Sequence, residues 1–321
     1  MAECAAISRA DFKALPHAIT LLGMSGAGKT VLSTGLRKSD GWYHYSADYR
    51  IGTRYLAEHI IDNIKFKIMN MADGFVANLL RSDSIYINHN ITVDNLAPVS
   101  TFLGMYGDAA KGGLDKPTFL QRQGLYRDAE IDCMREVGHF IAKAWRIYGC
   151  GNFINDASGS LVEVADPTNP ADPVIEALRA ETLILYLKAD DTYEQEIIAR
   201  AKAHPKPMFY NPDFIGPRLA DQPDDGRGVD PMAFAGPLFP DLVAFRRPRY
   251  QTFADNFGFT MPAATLFDIV DVRSRTVSAD GFLDLLYDHV ARGCDTDPAA
   301  EDNLKRYLAT CDARHAARDT G

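Results

Sequence analysis

Cysteine is scarce in this sequence, and its arrangement excludes two kinds of small-domain architecture. The five cysteines among 321 residues are scattered, and no two of them form a Cys-x-x-Cys pair. Without such pairs we expect neither a disulfide framework nor a structural zinc site. The pattern favours reduced thiols in a cytoplasmic protein.

Long apolar runs, an excess of basic residues and a nucleophile elbow are also missing. No segment approaches the roughly 20 apolar residues that a membrane span needs, and the early acidic residues are unlike a secretory signal. The formal net charge is −9, whereas nucleic-acid-binding surfaces are basic. No Gly-x-Ser-x-Gly sequence anchors a hydrolase triad. We therefore expect a cytoplasmic protein that binds neither membranes nor nucleic acid.

The chain does contain a regular succession of short apolar segments. Apolar residues make up 46% of the chain and charged residues 24%, as in globular proteins. The apolar segments alternate with segments of helical periodicity, which predicts a parallel sheet with helices on both faces. The five predicted strands are residues 17–22, 42–45, 152–155, 182–187 and 266–272.

Helical periodicity and proline content predict the remaining elements. The predicted helices are residues 30–37, 51–71, 117–145, 173–179, 190–204 and 279–292, together with 242–257 interrupted at Pro248. We further predict a strand at 84–91, a mobile proline-rich loop or insertion at 205–240, and a short surface helix after residue 295.

The loop between the first strand and the first helix contains the strongest functional signal. Residues 23–30 read Gly-Met-Ser-Gly-Ala-Gly-Lys-Thr, a complete Walker A sequence. Its glycines let backbone N–H groups point at phosphate oxygens, and the following helix adds the positive end of its dipole. In this pattern the lysine reaches the β- and γ-phosphates and the threonine hydroxyl binds Mg²⁺. The sequence therefore predicts an ATP and Mg²⁺ site formed by Gly23, Ser25, Gly26, Ala27, Gly28, Lys29 and Thr30.

Two aspartates follow predicted strands and are candidates for the acidic group that the metal needs. Asp48 follows the second strand and Asp156 the third. Ligands of parallel sheets bind at the carboxyl ends of the strands, so we expect both carboxylates near the phosphates. We assign Asp156 to Mg²⁺ together with Thr30. The alternative for each aspartate is a helix cap or a turn.

The order of further segments resembles the shikimate kinase-like group of small-molecule P-loop kinases. Residues 46–48 stand where that family has Asp-x-Asp, and residues 126–130 (Tyr-Arg-Asp-Ala-Glu) are similar to its Phe-Arg-x-x-Glu. Residues 157–159 replace its Gly-Gly-Gly turn, and residues 206–208 fall in its lid. Residues 246–250 (Arg-Arg-Pro-Arg-Tyr) match its Arg-x-Pro-x-Tyr.

The resemblance implies a role for several residues outside the Walker A loop. Asp48 would hydrogen-bond the acceptor hydroxyl and take its proton. Arg127 and Arg246 would hold an anionic acceptor, and Gly159 would lie against it. Arg273, in a basic turn after the fifth predicted strand, would contact the adenine.

The departures from the family concern the acceptor side. Ser46 replaces the first aspartate of Asp-x-Asp, and two of the three turn glycines are replaced. The chain also has an insertion at about 72–116 and an enlarged lid at about 189–240. We predict one P-loop kinase-like domain over residues 1–321, and the resemblance supports the reaction class better than the substrate.

Three functions agree with these residues. The first is a phosphotransferase that acts on a hydroxyl of a small, anionic metabolite. The second is a nucleotide-gated ATPase or switch protein whose insertion contacts a protein partner. The third is a kinase of a nucleotide or sugar nucleotide, since the insertion is large enough to hold one.

Overall fold

The computed structural model describes residues 7–39, 41–71, 74–271, 274 and 276–319. Its internal contacts divide the chain into two compact units. The first unit comprises Met1–Ala47, Ile131–Lys202 and Phe239–Gly321, and the second comprises Asp48–Glu130 and Ala203–Leu238.

Five parallel strands form the sheet of the first unit. The strands are β1 (Ala18–Leu22), β2 (Trp42–Ser46), β3 (Asn152–Asp156), β4 (Leu183–Lys188) and β5 (Phe259–Pro262). Their order across the sheet is β2-β3-β1-β4-β5, and all pairs are parallel. Every residue of β1 is buried, as expected for a central strand covered by helices on both faces. The predicted α/β class with a five-stranded parallel sheet is confirmed.

Helices make up most of the remaining chain. They are α1 (Arg9–Ala14), α2 (Lys29–Arg37), α3 (Ala47–Arg50), α4 (Ala57–Met69), α5 (Gly74–Arg81), α6 (Ala97–Leu103), α7 (Lys116–Arg135), α8 (Val137–Tyr148), α9 (Leu161–Val164), α10 (Pro173–Glu181), α11 (Asp191–Ala203), α12 (Pro212–Leu219), α13 (Pro231–Phe257), α14 (Ala279–Thr296) and α15 (Pro298–Asp319). A π-helical turn spans Ile51–Tyr55, and 3₁₀ turns span Ala109–Lys111 and Ala263–Asp268. Within the described ranges, no helix has both the length and the apolar content that crossing a membrane would require.

The fifth strand lies earlier in the chain than its apolar pattern predicts. The described residues of the predicted strand, 266–271, do not join the five-stranded sheet. They end the 3₁₀ turn and then form β6 (Val270–Asp271), which pairs antiparallel with β7 (Thr276–Val277). The true strand, β5, has only four residues and begins directly after Gly258. A Cβ at Gly258 would lie 2.4 Å from the Ile184 carbonyl oxygen, so glycine permits the close approach at which the pairing with β4 begins.

The C-terminal helix α15 is part of the core, and its prediction as a short surface helix is wrong. Leu304 and Cys311 are completely buried, and Tyr307 is nearly so. These residues stand at i, i+3 and i+7, which places them on one face of a helix. The acidic, alanine-rich composition of the segment conceals this narrow apolar stripe.

Three other predicted elements differ from the structure. Residues 117–145 fall in two helices, α7 and α8, which are separated at Glu136. The described residues 84–91 form no strand. Helix α13 continues through Pro248; an internal proline costs about 3 kcal/mol, and burial of neighbouring Tyr250 and Phe253 offsets that cost.

The second unit is helical and contains the predicted insertion. Its irregular segments are fastened by hydrogen bonds to main-chain atoms: the Tyr106 hydroxyl donates to the Pro223 carbonyl (2.5 Å), and the Gln123 amide donates to the Met208 carbonyl (3.2 Å). The proline-rich segment 205–240 includes α12 and the start of α13. It is therefore partly helical, because prolines tolerated in a first helical turn begin both elements.

Candidate functional site

The Walker A loop joins β1 to α2 as predicted. Gly23, Gly26 and Gly28 have φ values of 149°, 94° and 91°, a region that disfavours side chains with a Cβ. A Cβ on Gly23 would also lie 2.9 Å from the Leu187 carbonyl oxygen. These glycines therefore allow the loop to curl at the start of α2, where helix N–H groups face outward without partners in the helix.

The ammonium group of Lys29 lies inside this loop. Its Nζ donates to the carbonyl oxygens of Gly23 (2.6 Å) and Met24 (3.2 Å), and the residue is 6% exposed. The loop therefore holds a buried positive charge against main-chain oxygens. A phosphate group would offer this charge a stronger, anionic acceptor.

The structure brings Thr30 and Asp156 together at the carboxyl ends of two adjacent strands. The Thr30 hydroxyl donates to Asp156 Oδ2 at 2.7 Å. Asp156 ends β3 and is paired in register with Leu21 of β1, so its carboxylate stands beside the Walker A loop. Of the two aspartates predicted near the phosphates, Asp156 has this placement.

Oxygen donors of this kind fit Mg²⁺, which prefers oxygen ligands and keeps waters and phosphate oxygens in its shell. Within the described ranges, no group of three or more His, Cys, Asp and Glu side chains could hold a metal ion. The Thr30 hydroxyl and the Asp156 carboxylate are the oxygen donors that these residues could offer such an ion.

His44 lies next to Asp156, and nothing in the sequence indicated a role for it at this site. It is in β2, with its side chain 1% exposed, and its Nε2 is 3.7 Å from Asp156 Oδ2. This nitrogen has no hydrogen-bond partner among the described residues. The parallel register of β2 with β3, in which Ser46 pairs with Asp156, is the signal that could have identified it.

The turn after β3 packs directly on the Walker A loop. A Cβ at Gly159 would lie 3.2 Å from the Ser25 backbone nitrogen, so a side chain there would press on the loop. The Tyr250 hydroxyl is 2.5 Å from the Gly159 carbonyl and 3.1 Å from the Gly23 carbonyl. Tyr250 thereby joins the turn to the loop through a single buried hydroxyl, a role that the sequence did not indicate.

Arg246, the predicted acceptor-binding arginine of the first unit, has an internal partner. Arg246 Nε donates to Glu163 Oε1 at 2.6 Å, and its Nη2 contacts the same oxygen. Both side chains are almost completely buried. The structure therefore places Arg246 near Gly159 in a buried ion pair, and its contact with an acceptor stays a prediction.

Helix α11 contacts the outer side of the loop. The Tyr193 hydroxyl donates to the Gly26 carbonyl at 2.6 Å, and a Cβ at Gly26 would lie 3.5 Å from Ile197. Arg247 Nη2 binds Asp191 at 2.6 Å, and this hydrogen bond raises the pKa of Arg247. The first part of the predicted lid, helix α11, therefore packs against the Walker A loop.

Two predicted site residues belong to the second unit. Asp48 follows the last residue of β2 by two positions, and its Oδ1 accepts a hydrogen bond from the Tyr126 hydroxyl at 3.2 Å. Arg127 is exposed on α7. Arg273, the predicted adenine contact, lies outside the described residues.

A scan against models of known protein families and a search of curated protein sequences each found no match to this chain. The sheet order is β2-β3-β1-β4-β5, and the Walker A loop follows the central strand β1. They agree with a P-loop type of α/β fold.

Proposed function

We propose that this protein is an ATP-dependent phosphotransferase that acts on a hydroxyl of a small, anionic metabolite. The observation that supports it best is the Thr30–Asp156 hydrogen bond of 2.7 Å beside the glycine loop that encloses Lys29. A loop for phosphates, a cation for their charge and two oxygen donors for Mg²⁺ are the parts that phosphoryl transfer requires.

The residues of the first unit would act on the nucleotide. Backbone N–H groups of residues 23–30 and the Lys29 ammonium would bind the β- and γ-phosphate oxygens. Thr30 and Asp156 would hold Mg²⁺, which neutralises phosphate charge when bound. Lys29 would exchange its carbonyl partners for phosphate oxygens, so that its charge stabilises the transition state.

The acceptor chemistry is assigned to Asp48. In the proposed reaction the acceptor oxygen forms a bond to the γ-phosphorus as the bond to the β–γ bridging oxygen breaks, and ADP leaves. The hydroxyl proton passes to the Asp48 carboxylate. The place of Asp48 in the chain, directly after the end of β2, supports this role, and Arg127, Gly159 and Arg246 remain the proposed contacts of an anionic acceptor.

The second candidate is a nucleotide-gated ATPase or switch with a protein partner. The pairing of Arg246 with Glu163 favours it, because a guanidinium already neutralised by a carboxylate binds a second anion less strongly. The serine at position 46 favours it as well.

In either case we propose a cytoplasmic site of action, supported by the absence of a disulfide among the four cysteines that the structure describes.

The test is ADP release by the purified protein with Mg-ATP, measured with and without hydroxylated acids, sugars, nucleosides and sugar nucleotides. Lys29→Ala and Asp48→Asn run beside the parent, and Asp128→Asn, at an exposed position of α7, is the matched control. Stimulation by one compound that both variants lose and the control keeps establishes a kinase and its acceptor class. A slow rate that no compound changes, and that Asp48→Asn retains, would establish the ATPase instead.

A further inference from the structure

Three arginines lie near the amino-terminal ends of the strands in the first unit. The Walker A loop is at the opposite, carboxyl-terminal end of the same strands. Arg179 is in the last turn of α10, just before β4 begins, and Arg306 and Arg314 are on α15. Helices α10 and α15 pack together there; the Thr310 hydroxyl, for example, donates to the Ala180 carbonyl at 3.2 Å. We call these three residues the arginine cluster.

One member of the arginine cluster has a structural role. Arg314 donates through Nη1 to the Pro16 carbonyl (3.2 Å) and through Nη2 to the Glu181 carbonyl. Those carbonyls directly precede β1 and β4, so Arg314 ties α15 to the strand ends.

The other two members have no such partners. The Arg179 guanidinium lies over the Phe257 ring, 4.8 Å from its centroid. The Nε atoms of Arg179 and Arg306 are buried and have no hydrogen-bond partner in the described part of the chain. Cations that lose water without gaining an acceptor are costly to a fold.

The charges of Arg179 and Arg306 also lack compensation. No carboxylate oxygen of the described residues lies within 4.0 Å of either guanidinium, although other partly buried arginines, such as Arg247, have such partners. Burial, followed by the charge of Arg179, lowers the pKa of Arg306 to about 10. The two like charges therefore interact with each other, and both side chains are only partly buried.

We propose that Arg179 and Arg306 form a second anion-binding site, which takes a phosphate-type oxyanion at the sheet edge opposite the Walker A loop. A guanidinium presents parallel N–H groups that match the oxygens of a phosphate. Two of them facing one ligand would replace mutual repulsion by attraction to a shared anion. The Phe257 ring holds one guanidinium in place before the ligand binds. The site is independent of the proposed phosphotransferase activity.

The experiment uses the full chain with Lys29→Ala, which weakens phosphate binding at the Walker A loop. Thermal unfolding is followed in increasing inorganic phosphate and in chloride of equal ionic strength. We expect phosphate to raise the midpoint by at least about 2 °C more than chloride does, since a ligand that binds only the folded state stabilises it. Adding Arg179→Gln or Arg306→Gln should remove this difference, and Arg292→Gln, at an exposed position of α14, should keep it.

Binding is also measured below the unfolding range by the ³¹P line width of phosphate, so that a destabilised variant still gives an answer. Arg306→Lys, which keeps the charge, should retain part of the broadening that Arg306→Gln loses. Glycerol phosphate is compared with inorganic phosphate: tighter binding of the ester identifies a phosphorylated metabolite as the ligand, and equal or weaker binding identifies free phosphate. Equal effects of phosphate and chloride on the parent, or unchanged broadening in both glutamine variants, would overturn the proposal.

Discussion

Protonation of one buried histidine should destabilise the first unit as the pH falls. His17 is 1% exposed, with Nε2 2.9 Å from the Phe12 carbonyl and Nδ1 3.0 Å from the Tyr307 hydroxyl. The carbonyl can only accept, so Nε2 carries the proton and Nδ1 accepts from the tyrosine. A second proton, on Nδ1, would break that bond and place a charge in the core.

The magnitude follows from the pKa. Burial lowers the pKa of His17 from 6.5 to about 4, so between these values the unfolded chain binds a proton that the folded chain excludes. The stabilisation is complete above about pH 6.5 and is lost as the pH falls toward 4. A difference of roughly 2.5 pKa units corresponds to about 3 kcal/mol of unfolding free energy at 1.36 kcal/mol per unit.

The assay is urea unfolding at a series of pH values from 7.5 to 4.5, for the parent and for His17→Gln, which does not titrate. The parent should lose about 2.5 kcal/mol more than the variant across this range, because all other titrating groups are shared. His289→Gln, at a half-buried histidine of α14, is the control for histidine removal in general. Parallel pH curves for the parent and His17→Gln would refute the reasoning.

Three further changes test the candidate site and its supports. Asp156→Asn should leave metal-free nucleotide binding unchanged and should raise the Mg²⁺ concentration required for tight binding about tenfold or more, the equivalent of about 1.4 kcal/mol. A fluorescent-nucleotide titration at several Mg²⁺ concentrations measures this requirement. An unchanged Mg²⁺ requirement would show that Asp156 is not a ligand of the metal. Tyr250→Phe removes the hydroxyl that donates to the Gly159 carbonyl and should lower the unfolding free energy by about 1–3 kcal/mol with weaker ATP binding, whereas equal stability by denaturant unfolding would contradict it. Glu163→Gln removes the negative charge paired with the buried Arg246 and should cost about 3–5 kcal/mol. A double variant with Arg246→Met should recover much of that loss, and a double variant less stable than Glu163→Gln would show that the pair is not the source.

Several elements could be predicted because their signals are local. Strands β1 to β4 are short apolar runs, and each begins or ends within one or two residues of its prediction. The fifth strand could not be placed, because four residues contain too little pattern and the pairing depends on how closely Gly258 approaches Ile184. Helix α15 was misjudged because its apolar stripe is narrow, and only packing shows that Tyr307 enters the core.

The candidate site also contains side chains whose positions could be predicted and others whose positions could not. Asp156 meets Thr30, although 126 positions separate them, because parallel strands bring their carboxyl ends to the same end of the sheet; its metal role stays a prediction. Glu163 was missed, since nothing near it in sequence indicates Arg246 as its partner. The bond from Tyr250 to the loop was missed for the same reason.

The sequence by itself determined the α/β class and the position of the Walker A loop, because strand and helix periodicities and an eight-residue motif are properties of contiguous residues. Only the tertiary structure decided which distant side chains meet: Tyr250 on the loop, Glu163 with Arg246, and Arg179 beside Arg306. Such pairs depend on strand register and on helix packing. Both are settled by the burial of the whole core, and no short segment contains that information.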